Sequence, residues 1–295
     1  MITKKETEPQ KTNKADAAAA SGDKQTGLRF PRVPQEELRD IGELTFGKRD
    51  RTAPTHQPGG TSAANSAERV RISGAEITDS PWRKICDLLI TARDGSLHTG
   101  TAWLISARTL VTAGHCISVF NPGSPAHGKV RKILVMPARN GEMDETDSPF
   151  GWVEVERADL RVHPNWEHHG NLDFDYGAIL LPEEAPLGEQ IGFLDFGNFL
   201  DSVLDESTPT LSGYPDNVLE GTQWREENLI KQVTPTRVFY DIFTFSGQSG
   251  SPVFFPDGGQ IACAIHSFGD NPLNSGVRIN QQVIDQLNEW IEETL

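Results

Sequence analysis

Three residues of this chain have side chains that together could make a reactive nucleophile. Ser249 lies in the run GQSGS (247–251), His115 in TAGHC (112–116) and Asp175 in DFDYGA (173–178). A serine hydroxyl is a weak nucleophile at neutral pH and becomes reactive only beside a base that a third group holds in place. The three motifs therefore predict a nucleophile, a general base and an orienting carboxylate, which are the groups needed for acyl-transfer chemistry.

The order of these residues along the chain distinguishes between classes of catalytic triad. Histidine before aspartate before serine is the chymotrypsin-like order, whereas subtilisins and α/β-hydrolases have other orders. The run around Ser249 also departs from the nucleophile elbow, because Ser251 stands where that motif requires its final glycine. Asp173 is the other candidate for the carboxylate that orients the histidine. Asp175 is preferred, and Asp173 is expected to serve a turn instead.

Composition and charge argue against several partners. The chain has 295 residues, a formal net charge of -15 and a pI of about 4.9, which leaves room for one large domain or two small ones. The acidic balance argues against nucleic acid, since phosphate binding needs clustered lysine and arginine. No apolar stretch approaches the length of a membrane span, so no membrane partner is expected.

The cysteines and the amino terminus bear on the compartment. Cys86, Cys116 and Cys263 allow at most one intrachain disulfide and have no metal-ligand spacing. The first residues lead into polar sequence rather than the apolar stretch of a signal peptide. Both features favour a cytoplasmic protein, whereas removal of a signal would make it a secreted one. The sequence leaves both alternatives open.

The chain divides by composition near residue 65. Residues 1–65 contain an alanine tract and Pro/Gly-rich polar sequence, which predicts a disordered pro-segment or regulatory tail, and residues 66–295 form the expected catalytic domain. Leu38, Ile41 and Leu44 recur every three residues and could line one face of a short helix. That helix would be either transient or a docking element.

Short apolar segments separated by glycine, proline and aspartate follow from about residue 70, which is typical of antiparallel all-β proteins. The predicted strands are 85–90, 101–105, 109–112, 130–135, 178–181, 210–212, 252–255 and 260–265. Near the carboxyl end, Asn280 is the predicted N-cap of a helix whose Val283, Ile284, Leu287 and Ile291 share one face. This pattern indicates a barrel architecture with one terminal helix.

From about residue 66 onward the sequence resembles the chymotrypsin-fold serine proteases, and among them the bacterial glutamyl endopeptidases. The matching runs are TLVTAGHCI (109–117), DYGAI (175–179), SGYP (212–215), GTQW (221–224) and GQSGSPVF (247–254). The resemblance implies two antiparallel six-stranded β-barrels with the active site in the cleft between them. It also implies a serine endopeptidase that acts on proteins or peptides and needs no cofactor.

The resemblance assigns roles residue by residue. His115 would take the proton of Ser249 and later give it to the leaving amine, while Asp175 would hold the imidazole in the right tautomer. The backbone N–H groups of Gly247 and Ser249 would form the oxyanion hole.

The same resemblance places a hydroxyl residue and a histidine in the specificity pocket. Here these are Thr244 and His266, with Ser267 and Gly269 as further substrate-binding positions. An imidazole and a hydroxyl can donate hydrogen bonds to a carboxylate, so cleavage after glutamate is expected, with a charged His266 when substrate binds. Phe243 stands where a trypsin-like pocket would need aspartate. A structural histidine at a strand end is the alternative for His266.

A metal site is the alternative for three other histidines, although a solvated loop is favoured and no metal is expected. These histidines are His163, His168 and His169.

The leading hypothesis is a bacterial glutamyl endopeptidase made as a zymogen, with an activating protease or a regulatory partner acting on the amino-terminal segment. The mature chain would begin near residues 62–64. Two alternatives remain: a partner-activated intracellular trypsin-like protease of other specificity, and a non-catalytic protease-like binding domain.

Overall fold

Two curled antiparallel sheets form most of the structure. In this computed structural model the described residues are 38–47, 69–142, 147–218, 221–257, 259–269 and 273–295. The elements of the amino-terminal half are β1 (Arg39–Asp40), α1 (Gly42–Phe46), β2 (Val70–Arg71), β3 (Ile85–Thr91), β4 (Leu97–Leu104), β5 (Thr109–Thr112), α2 (Gly114–Ile117), β6 (Ser118–Val119), β7 (Gly128–Lys129), β8 (Lys132–Pro137), β9 (Val153–Glu156) and β10 (Leu160–Val162). Those of the carboxyl half are α3 (Pro164–His169), β11 (Gly177–Leu180), α4 (Leu187–Ile191), β12 (Asp195–Phe196), α5 (Asp201–Leu204), β13 (Thr210–Gly213), β14 (Trp224–Glu227), β15 (Ile230–Val233), β16 (Arg237–Tyr240), β17 (Pro252–Phe255), β18 (Ile261–Phe268), β19 (Asn274–Arg278) and α6 (Gln281–Glu292).

The first sheet curls into a barrel of six strand paths. Its order is β10-β11-β5-β4-β3-β8-β9, with β1 paired to β4 off this path. Only the 3₁₀ turn Arg157–Asp159 separates β9 from β10, so the first and last strands of the order are one bent path. This closure leaves β3 and β5 buried along most of their length.

The second sheet closes in the same way. Its order is β15-β16-β19-β18-β17-β13-β14-β2, and β12 pairs with β18. β14 and β15 are consecutive strands and form one bent path, which closes the barrel, while β2 pairs with the outer side of β14 as an accessory strand. The prediction of two antiparallel six-stranded barrels is confirmed, with short accessory strands added at their edges.

The carboxyl-terminal helix α6 follows its sequence signals. The side chain of Asn280 accepts a hydrogen bond from the N–H of Val283 at 3.1 Å, as expected for an N-cap. Val283, Leu287 and Trp290 are buried against the core. No helix within the described ranges is long and apolar enough to cross a membrane.

Ten residues of the amino-terminal segment, 38–47, pack against the first barrel. β1 pairs in parallel with β4, and Ile41 is fully buried in the barrel core. The predicted helix would place Leu38, Ile41 and Leu44 on one face, whereas in the structure a strand precedes a helix that begins at Gly42. The rest of the segment 1–65 lies outside the described residues.

Candidate active site

His115 and Asp175 are held together by two hydrogen bonds. The imidazole Nδ1 lies 2.8 Å from Asp175 Oδ2, and the backbone N–H of His115 donates to Asp175 Oδ1 at 2.8 Å. His115 lies in α2, which follows β5, and Asp175 directly follows a 3₁₀ turn. Because both carboxylate oxygens bind the same residue, the ring is fixed with Nε2 on its far side.

The competing aspartate does not contact this histidine. The N–H of Asp173 donates a hydrogen bond to Asn171 Oδ1 at 3.1 Å, which caps the 3₁₀ turn Leu172–Phe174. The structure therefore brings Asp175, and not Asp173, to His115.

The electrostatic environment favours the protonated form of His115. Burial of the ring alone would lower its pKa, but the charge of Asp175 and the hydrogen bond to it outweigh burial and raise the pKa well above 6.5. A base with a raised pKa accepts a proton readily and stores it as an imidazolium beside the carboxylate.

The turn that carries Ser249 is fixed by backbone hydrogen bonds. The carbonyl of Ser249 accepts from the N–H of Thr101 at 2.8 Å, and the N–H of Gly250 donates to the carbonyl of His266 at 2.7 Å. Gly250 has φ +91°, and a Cβ there would lie 2.1 Å from the carbonyl oxygen of Thr101. Only glycine fits this close approach, so the turn is locked between the two barrels.

Two backbone N–H groups beside Ser249 are available to a ligand. Among the described residues, neither the N–H of Gly247 nor that of Ser249 has a hydrogen-bond acceptor. Gly247 has φ +90°, and a Cβ there would lie 2.4 Å from the carbonyl oxygen of Tyr214. The arrangement can hold a negatively charged oxygen.

Ser249 and His115 are not joined by a hydrogen bond in this structure. Nε2 of His115 is buried and has no hydrogen-bond partner in the described part of the chain. Such bonds often form only when substrate binds. The structure thus contains the histidine–aspartate half of the arrangement already formed, with the serine turn adjacent to it.

A buried arginine that the sequence analysis missed ties this region to the second barrel. Arg237 donates to the carbonyl of Leu172 at 2.5 Å and to Ser275 Oγ at 2.7 Å, and its Nη2 lies 3.4 Å from Ser267 Oγ. It therefore anchors the turn before Asp175 to strands of the other barrel. The only sequence signal is an arginine at the start of the apolar strand β16.

The predicted pocket histidine lies on β18 and is buried, with its Nδ1 2.6 Å from the hydroxyl oxygen of Tyr240. Burial raises the pKa of Tyr240 well above its ordinary value. The N–H of His266 also donates to the carbonyl of Ser251 at 2.9 Å. The backbone of His266 therefore holds the serine turn, and its side chain is oriented by a tyrosine that the sequence analysis did not identify.

The other predicted pocket positions flank the serine turn. Thr244 is partly exposed, Ser267 is buried, and Gly269 is partly exposed just after β18. Asn274 on β19 donates to the carbonyl of Ile242 at 2.7 Å, which fixes the segment that leads to Thr244.

Phe243 is 37% exposed and its N–H donates to Glu226 Oε1 at 2.9 Å. Burial raises the pKa of Glu226 to about 7, although that hydrogen bond and the nearby charge of Arg69 lower it. A carboxyl that the sequence did not indicate therefore binds the backbone of Phe243, next to the predicted pocket residue Thr244, and changes its charge near neutral pH.

The three histidines considered as metal ligands have other surroundings. His163 caps α3 by accepting the N–H of Asn165 at 3.1 Å, and its ring stacks on Phe174. His168 and His169 end the same helix. Within the described ranges no three His, Cys, Asp or Glu side chains are placed to hold a metal ion.

All three cysteines are free and buried. Cys116 Sγ lies 3.7 Å from the carbonyl oxygen of Ser249, and a Cβ at Gly100 would lie 3.0 Å from that sulfur. The residue facing Cys116 is thus a glycine, and no disulfide forms there.

Comparison with known proteins identifies the family. The trypsin family model matches residues 71–291, which is most of the chain. This chain belongs to the trypsin family. It is 33% identical to the glutamyl endopeptidase of Bacillus licheniformis over 256 residues, covering 83% of this chain and 74% of that protein. It is 29% identical to a Bacillus subtilis protein named extracellular metalloprotease, with the same coverage.

A solved structure of a Glu endopeptidase superposes with a TM-score of 0.63 at 20% identity, covering 77% of this chain and 98% of that one. That similarity shows the chymotrypsin fold. Together with the family match and the named relatives, it identifies the chain as a serine endopeptidase of the trypsin family, as the sequence motifs predicted.

Proposed function

We propose that this trypsin-family protease cleaves peptide bonds after glutamate, with Ser249 as nucleophile, His115 as base and Asp175 as the group that orients the base. The observation that carries the proposal is the 2.8 Å contact between His115 Nδ1 and Asp175 Oδ2 beside the Ser249 turn. It leaves Nε2 as the nitrogen that can take a proton from the serine.

The proposed reaction follows from this geometry. Ser249 Oγ attacks the carbonyl carbon of the scissile bond while its proton passes to His115 Nε2. The N–H groups of Gly247 and Ser249 hold the negative oxygen of the tetrahedral intermediate. His115 then gives its proton to the departing amine, and a water activated by the same nitrogen releases the acid from Ser249.

The tyrosine behind the pocket histidine supports a preference for a carboxylate. Tyr240 is buried and its raised pKa keeps its hydroxyl protonated, so that hydroxyl can donate to His266 Nδ1 in the tautomer that carries the ring proton on Nε2. A neutral His266 can then donate from Nε2 to the substrate carboxylate, and the Thr244 hydroxyl can donate a second bond. In this form the pocket does not require the charged histidine that the sequence analysis expected.

A peptide library that varies the residue before the cut is expected to show cleavage after glutamate well above aspartate. The aspartate carboxylate is one methylene shorter, which costs about 1–3 kcal/mol at such a site. Little cleavage after lysine, arginine or phenylalanine is expected. Cleavage chiefly after basic or aromatic residues would contradict the pocket assignment and favour a trypsin-like protease of other specificity.

Tyr240→Phe is expected to weaken glutamate selectivity because it leaves His266 Nδ1 buried without its donor. The expected loss in kcat/KM for a glutamate substrate is about tenfold, from a penalty of about 1–3 kcal/mol for an unpaired buried group. The rate of labelling by a small fluorophosphonate, which needs no pocket, should stay unchanged.

Tyr176→Phe is the matched control for this variant. Its hydroxyl is also buried but has no hydrogen-bond partner among the described residues. An equal loss of glutamate selectivity in both variants would contradict a specific role for Tyr240.

The alternative of a non-catalytic binding domain makes a separate prediction about Ser249. Such a domain would not react with the fluorophosphonate, whereas a catalytic serine would be labelled.

For the amino-terminal segment we propose a removable pro-segment, on which an activating protease or a regulatory partner acts. Its composition supports this role.

A further inference from the structure

The described part of the amino-terminal segment begins with a short strand that pairs with the edge of the first barrel. Arg39 and Asp40 pair with His98 and Thr99 of β4, and the N–H of Ile41 lies 3.3 Å from the carbonyl oxygen of Thr99. An extended peptide can bind a protein by adding a strand to an exposed sheet edge. This stretch of β4 is thus already occupied by the chain itself.

The short helix that follows is anchored to the same barrel. Asp40 Oδ1 accepts from the N–H of Gly42 at 2.9 Å, and Asn121 Nδ2 donates to the carbonyl of Leu44 at 2.7 Å. The N–H of Phe120 donates to Thr45 Oγ1 at 3.3 Å. A five-residue helix is not stable alone, so these contacts and the buried Ile41 hold it in place.

Phe46 is the last residue of this helix, and its side chain lies across the cleft between the two barrels. Its ring packs edge-on against His115, with centroids 5.4 Å apart, and against Phe268 at 5.0 Å. His115 belongs to the first barrel, whereas Phe268 ends β18 of the second. Phe46 therefore bridges the two barrels at the proposed catalytic base.

The burial of the His115 side chain agrees with a closed cleft. Its ring is 0% exposed, and the Nε2 that would take the serine proton is buried without a hydrogen-bond partner among the described residues. A general base must come within hydrogen-bond reach of the group it deprotonates. Here the ring of Phe46 lies against that base.

We propose that residues 38–47 are a built-in occluding segment, in which Phe46 closes the substrate cleft until the segment is displaced. This inference rests on the proposed function, since it takes His115 as the catalytic base. It goes beyond a removable pro-segment, because it names the contacts that keep the enzyme latent.

The segment is placed so that the enzyme does not cut it in this position. Glu43 is the only glutamate of residues 38–47, and its carbonyl accepts the N–H of Gly47 at 3.0 Å within the helix. A scissile carbonyl must instead lie in extended chain with its oxygen at the N–H groups of Gly247 and Ser249. Release therefore requires that the segment be lifted by a cut elsewhere or by a partner.

The test compares the full-length protein with Phe46→Ala, Phe46→Trp and Phe193→Ala. Phe46→Ala should raise both the kcat/KM for a short glutamate peptide and the rate of fluorophosphonate labelling by about tenfold, because aromatic contacts of this kind hold the segment closed. Phe46→Trp keeps an aromatic ring in the cleft and should stay as slow as the parent. Phe193 is 45% exposed and lies outside the site, so its variant should match the parent.

The intact mass of each protein, measured before and after its assay, shows whether cleavage has activated it. Circular dichroism checks the fold of each variant. Equal and rapid labelling of the parent and Phe46→Ala, with intact mass, would overturn the occlusion while leaving the proposed function standing. Absence of labelling and hydrolysis in all four folded proteins, and also after limited proteolysis has removed the segment, would overturn the proposed function and this inference with it.

Discussion

Ser249→Ala is expected to abolish peptide hydrolysis, with a loss in kcat of about 10⁶-fold, as found when a triad serine is removed. The fold should be unaffected, because the turn is held by the backbone of Ser249 and Gly250, which alanine retains. Activity should be measured on a glutamate peptide after the amino-terminal segment has been removed, so that occlusion does not limit the rate. The thermal midpoint of unfolding should stay close to that of the parent.

The control for this variant is Ser251→Ala in the same turn. The Ser251 hydroxyl is buried and has no hydrogen-bond partner among the described residues, so its loss should leave most of the activity. Turnover by Ser249→Ala near that of the parent, or fluorophosphonate labelling of a residue other than Ser249, would show that the nucleophile is elsewhere.

The sequence was most informative where one short motif contains both the reactive side chain and the residues that fix the backbone around it. The run around Ser249 includes the glycines with positive φ, and the run around His115 includes the strand and turn that hold it. The match to DYGAI favoured Asp175 over Asp173, and Asp175 is the carboxylate that contacts His115 in the structure. Strand spacing indicated a barrel architecture, whereas the two six-stranded barrels were expected from the resemblance to the chymotrypsin-fold proteases.

The sequence was least informative about residues whose role depends on contacts distant in the chain. Tyr240 and Arg237 lie on β16, which no pattern indicated, and they reach His266 and Leu172 only after the second barrel has closed. The carboxyl of Glu226 has a raised pKa because of tertiary burial, which no local signal encodes.

The occluding segment has one feature that the sequence predicted and one that it did not. The recurrence of Leu38, Ile41 and Leu44 indicated an apolar face, and Ile41 is indeed buried in the core. The recurrence alone did not distinguish a helix from a strand that turns into a helix. The position of Phe46 between His115 and Phe268 depends on how α2 of the first barrel and β18 of the second are placed in the assembled fold.

Asp175→Asn should lower kcat/KM by about 10⁴-fold through loss of the correct tautomer. The asparagine oxygen can still accept the backbone N–H of His115, which leaves its NH₂ group facing Nδ1. Nδ1 must then act as acceptor, so the ring proton moves to Nε2 and the base is blocked. The charge that stabilises the imidazolium is lost as well.

The pH profile gives this variant a second signature. In the parent, Asp175 raises the pKa of His115 well above 6.5, so the neutral base forms, and activity appears, only as the pH rises through that higher value. Without the carboxylate, its raising effect on the pKa of His115 is lost while burial, the largest influence, still lowers that pKa, so the acidic limb of residual kcat/KM should move to lower pH. Asp173→Asn is the matched control, since the N–H of that residue only closes the turn, and it should keep both the rate and the profile. A larger loss in Asp173→Asn than in Asp175→Asn, or an acidic limb that does not move, would contradict the assignment of Asp175.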